Sequence, residues 1–136
     1  MEHTTDTLDK FCELVAKILY TTAAIDKKIM PAEIEKLRKI VKSKWLHAEK
    51  KTPYLKKGFT YQMENTFDNL LAQHWDITQT LPEVTSFMKT HPCLFNKQIV
   101  QLIMNSVYTI EMAFAGYNKS ELVFANRLEN VLKVKN

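Results

Sequence analysis

A chain of 136 residues with only two glycines and four prolines has few places to turn tightly. Sandwiches and barrels reverse direction every ~8–12 residues and rely on those residue types to do it. The chain is therefore predicted to be all-α. Its length is that of one ordinary domain, which predicts a single helical domain over residues 1–136. Apolar residues make up 46% and charged residues 25%, enough to bury a core without a disulfide or a structural metal. Cys12 and Cys93 are accordingly expected to be reduced and buried. The longest uncharged apolar-rich run, Gln98 to Ile110, is 13 residues, whereas a membrane span needs about 20. The opening MEHTTDTLDK is polar and acidic, the reverse of a signal peptide, and the expectation is a soluble cytoplasmic protein.

Apolar periodicity places the helices. Leu8, Phe11, Cys12, Val15, Ile18, Leu19, Thr22 and Ile25 form a stripe at the 3.6-residue period, predicting a helix over about Thr7 to Ala24. Pro31 suits the first position of the next helix, which buries Ile34, Leu37, Val41 and Trp45 and ends near Leu46. His47 to Gly58, with Pro53 and four lysines, reads as a long loop. Further helices are expected over about Thr60 to Gln73, from Pro82, and over about Asn96 to Ala115, the last being the longest. A final helix opens with Asn118 as N-cap and Glu121 three residues later, and buries Ala125, Leu128, Val131 and Leu132. Tyr20 to Val41 and Ile110 to Leu132 repeat one design: an alanine-rich helix end, a short turn, and a helix with Glu at its third position. The predicted fold class is a compact all-α bundle of about six to seven helices built from two similar helix pairs, with Leu19, Ile103, Ile110 and Leu128 in its core.

On these residues the sequence resembles the tellurite-resistance TerB-like family. Ala23-Ala24-Ile25-Asp26-Lys27-Lys28-Ile29 followed by Glu33 matches its first half, and Ala113 to Leu122 its second. Trp45, the HPCLF stretch at His91 to Phe95 and NKSEL at Asn118 to Leu122 resemble counterparts in small stand-alone bacterial members. Lys27 stands where the family usually has Gly, and Gly116 and Asn118 stand where a second carboxylate would match Asp26. The resemblance implies a helical bundle in a cytoplasmic bacterial setting with a link to stress response, and it does not imply an enzyme. It also implies a divalent-cation site, calcium being one choice, at Asp26, Glu33 and Glu121.

The residues themselves leave two readings of those carboxylates. Asp26 near a helix C-terminus faces an unfavourable dipole, which either a cation or hydrogen bonds within the turn can relieve, while Glu33 and Glu121 suit the first turn of a helix by dipole and capping alone. No nucleophile elbow, phosphate-binding glycine loop or zinc-spaced cluster is present in the sequence; His91 and Cys93 form a lone HPC triplet. The strongest compositional signal is charge segregation. Lys27 to Lys57 holds eleven Lys or Arg against three acidic residues, whereas Gly58 to Met88 has four acidic residues and no Lys or Arg. Lys36, Arg38, Lys39 and Lys42 are expected opposite Leu37 and Val41, with Lys50, Lys51, Tyr54, Lys56 and Lys57 on the following loop as the partner-binding residues. The predicted function is a non-enzymatic binding or regulatory module that acts through a protein partner. The alternative is a nucleic-acid-associated protein using Lys36 to Lys57.

Overall fold

The computed structural model describes residues 5–25, 31–52, 55, 57–113 and 119–133. They form an all-α bundle of six helices, α1 (Thr5–Ala24), α2 (Pro31–Lys51), α3 (Phe59–Gln73), α4 (Thr80–Thr90), α5 (Lys97–Ala113) and α6 (Lys119–Lys133). Single 3-10 turns at Ile77–Gln79 and Pro92–Leu94 precede α4 and α5. Among the described residues no helix is long and apolar enough to cross a membrane.

At the centre lies α1, packed against α3, α4, α5 and α6. From Phe11 to Ala23 every side chain is buried except that of Glu13. A stripe alone does not predict this, because Lys17 and Thr21 stand outside the stripe and Thr22, within it, is polar. The two threonines bury at little cost by donating to helix carbonyls: Thr21 Oγ1 to Lys17 O at 2.7 Å and Thr22 Oγ1 to Ile18 O at 2.9 Å. Around α1 a cluster of rings, Phe11, Phe59, Phe87 and Phe95, ties α1 to α3, α4 and the turn before α5. Leu19, Ile103, Ile110 and Leu128 are all in the core, as the periodicity predicts.

Several boundaries differ from the sequence expectation. The second helix does not end near Leu46 but runs on to Lys51, so His47 to Lys51 are helical rather than loop. Ala48, Glu49, Lys50 and Lys51 are good helix formers, the last two lysines suit the negative C-terminal dipole, and Pro53 disfavours helix at the residue before it. Beyond α2, Leu55 is buried and its N–H donates to Thr52 O at 3.0 Å. α4 begins at Thr80, not Pro82, since a proline in the first turn forfeits no intrahelical bond. α5 starts where expected, with Asn96 Oδ1 accepting from the Ile99 N–H at 2.9 Å; it is described as far as Ala113, and its expected end at Ala115 lies outside the described residues. Cys93 is exposed on its 3-10 turn, contrary to the buried expectation, because Leu94 and Phe95 take the inward positions there. Cys12 is buried and directs its thiol at Phe59 O, 3.5 Å away. Asn118 lies outside the described residues.

Two left-handed residues steer the chain. Gly58, φ 95°, precedes α3 and leaves its N–H and that of Thr60 pointing at Glu49, which accepts both at 3.0 and 2.8 Å. His74, φ 54°, ends α3 in a position glycine usually holds, with Trp75 N–H bonding Leu70 O and His74 N–H bonding Leu71 O. That reversal delivers the Trp75 ring to α1.

Candidate functional site

Two groups of charged side chains stand out, and they differ in chemistry. The first is internal. Lys17 on α1 is only 7% exposed; its Nζ lies 2.7 Å from Glu83 Oε1, 3.0 Å from Glu13 Oε2 and 4.0 Å from the centroid of a Trp75 ring. Thr21 and Thr80 share a hydrogen bond at 2.7 Å beneath it, and Trp75 Nε1–H donates to Thr80 Oγ1 at 3.3 Å. Burial pushes the amine down, but the hydrogen bonds to Glu83 and Glu13 outweigh it and hold the pKa above the usual lysine value. An ammonium held protonated in this way has no lone pair for nucleophilic chemistry. Its geometry is that of a clamp between α1, α4 and the Trp75 turn.

The second group is external and lies on α2. That helix is 21 residues long, hence about 30 Å by its rise per residue. Described core contacts come from Val41 and Trp45, with Ala48 packed beside them. Trp45 is fully buried; its Nε1–H donates to Ser106 Oγ of α5 at 3.1 Å and its ring stacks on Phe59 at 5.8 Å. With that edge fixed, the 100° rotation per residue sends Lys36, Lys39, Lys42, Ser43, Leu46, His47 and Lys50 to the opposite side, and all are exposed. Glu35 is the described acidic residue on this arc. Among the described residues none of Lys36, Lys39, Lys42 and Lys50 makes an ion pair. Leu46, 38% exposed, stands one turn from Lys42 on one side and from Lys50 on the other.

This arrangement revises the sequence-derived membership of the basic face. Lys50, Lys51 and Lys57 are exposed as expected, the first two on the helix instead of a loop. Arg38 does not belong to the face: it is half-buried and its guanidinium pairs with Asp68 of α3, which holds its pKa above the usual value. Tyr54 and Lys56 lie outside the described residues. So does Asp26, and although Glu33 and Glu121 fall within α2 and α6, their side chains are outside the description. Among the described residues no three His, Cys, Asp or Glu side chains come together as a metal group would require. Sequence reasoning missed Leu46, because an exposed leucine is indistinguishable from a core one until the register of Trp45 is known. It also missed the Lys17 clamp, whose partners are 4 and 66 residues away.

Comparison with known proteins returned no match among family models, curated proteins or solved structures.

Proposed function

We propose that this protein is a non-enzymatic binding module whose working surface is the lysine face of α2, and that its partner is an acidic, amphipathic protein segment. The observation that carries this reading is Leu46 exposed among unpaired lysines. An interface with a protein gains from an apolar centre inside a polar rim, and the charges set encounter rate and register. A phosphate backbone has no use for the leucine, and among the described residues the face offers no Asn or Gln of the kind that pairs with adenine. A regulatory role of the TerB-like, stress-response type, with calcium or another divalent cation at Asp26, Glu33 and Glu121, fits the same reading as an accessory to partner binding.

The test uses fluorescence anisotropy with two labelled probes: a synthetic acidic helix carrying leucines one turn apart, and a 20-mer nucleic acid in single-stranded and duplex forms. The peptide is expected to bind the parent, to lose at least tenfold in affinity with Lys39→Glu/Lys42→Glu/Lys50→Glu, and to lose several-fold with Leu46→Ser. The triple variant should fold as the parent does, since surface substitutions of this kind stay within about 0.5 kcal/mol. Nucleic-acid binding that falls steeply between low and moderate salt and ignores Leu46→Ser would establish the alternative instead. Affinity capture from a bacterial extract with and without chelator reads whether a divalent cation takes part.

A further inference from the structure

The outer side of α5 contrasts with the rest of a chain in which one residue in four is charged. From Lys97 to Met112 its one other charged residue, Glu111, is buried, and the exposed side chains after Lys97 are Gln98, Gln101, Asn105 and Met112. Val100, Met104 and Tyr108 floor a groove of about 690 Å³ on this side, with Gln101 and Asn105 on its rim. Met112, 67% exposed, continues the same row one turn past Tyr108. Charge depletion around an apolar floor is the composition of an interface centre and not of an ordinary solvated helix.

Among the described residues that line the groove, the two charged ones are opposite in sign and separated. Lys97 stands at the start of α5, and Glu129 of α6 accepts from the Tyr108 hydroxyl at 3.2 Å. Three helical turns of α5, about 16 Å, separate Lys97 from Tyr108. A surface that carries a cation at one point, an anion at another and neutral groups between them is complementary to itself after a half-turn rotation. That is the requirement of an isologous contact. The lysine face of α2 fails the same requirement, because a half-turn sets lysine against lysine. With a formal net charge of +4 on each chain, two copies meet most favourably through their least charged side.

We propose that the α5 groove pairs two copies of this chain about a twofold axis, α5 antiparallel to α5, with Lys97 of each copy meeting Glu129 of the other. The axis passes between Gln101 and Asn105, where the amides of the two copies face one another over Met104. α2 attaches to α5 elsewhere, through Trp45 and Ser106, so the pairing leaves the lysine face open and stands independently of the function proposed for it.

Sedimentation velocity of the full chain over a concentration series tests the pairing. The parent is expected to pass from monomer to dimer as concentration rises. Asn105→Lys changes an exposed side chain, leaves the fold intact and sets like charges across the axis, so it should raise the dissociation constant at least tenfold. Lys97→Glu should weaken the dimer similarly, and Lys97→Glu/Glu129→Lys should return it toward the parent value. A monomer at every concentration, a dimer indifferent to Asn105→Lys, or a double exchange that restores nothing while its circular dichroism matches the parent would each overturn the pairing.

Discussion

Helices α1 and α2 are neighbours in sequence and nearly equal in length, at 20 and 21 residues, yet one is immersed and the other rides on the surface. Both present an apolar stripe. They differ in what stands between the stripe positions. In α1 these places hold Ala16, Thr21 and Ala23, which are small or can satisfy a hydroxyl on their own helix, so a second and third side can bury. In α2 they hold Lys36, Lys39, Lys42 and Lys50, each of which would carry an uncompensated charge inward. The one lysine that α1 does bury arrives with two carboxylates and an indole face. Whether a lysine is fold or surface is decided here by its partners and not by its helix.

The largest effect should come from the tether of α2. Trp45→Ala removes a fully buried side chain and the hydrogen bond to Ser106 that joins α2 to α5, and should cost about 3–5 kcal/mol in a urea titration. A loss of less than about 1 kcal/mol would show that α2 is held by something other than this plug.

Next comes Lys17→Met, which keeps the length and discards the charge. Glu13 and Glu83 are 55% and 36% exposed and can be rehydrated, so the expected loss is about 1–2 kcal/mol, below that of a fully buried pair. The folded pKa of Lys17 lies above its ordinary 10.5, so the protonated clamp contributes fully at neutral pH and loses its contribution as pH rises through that value. The parent should therefore weaken on the alkaline side more steeply than Lys17→Met, read from thermal midpoints between pH 9 and 12.

The smallest change sharpens the link between α2 and α3. Glu49 is pushed up by burial, but the N–H groups of Thr60 and Gly58 outweigh that and hold its carboxyl below its ordinary 4.5. Its contribution is present above that pH and fades as pH falls through the folded value. Glu49→Gln should cost about 0.5–1 kcal/mol at pH 7 and flatten the parent's decline toward acid, both measured by denaturant unfolding.

Much of the fold was legible because periodicity and the scarcity of glycine act locally. The stripe through Leu19 and that through Ile103 and Ile110 place those residues in the core without knowledge of any neighbour. What stayed hidden depended on distant sequence. Glu49 serving the start of α3, and Lys17 buried against a carboxylate and an indole beyond α3, are contacts of this kind. Of the basic face, the lysines were legible from composition. The removal of Arg38 by Asp68, thirty residues on, and the setting of Leu46 among the lysines were not.

The position of α1 also has a consequence in time. On the ribosome α1 is made before every helix that covers it, and the last of these, α6, ends more than a hundred residues later. At roughly 5–20 residues per second, a helix destined for burial from Phe11 to Ala23 waits on the order of 5–20 seconds for its lid. During that interval Phe11, Val15, Ile18 and Leu19 are available to any protein that recognises nascent apolar helices, whereas α2, with its lysine side, keeps itself in water.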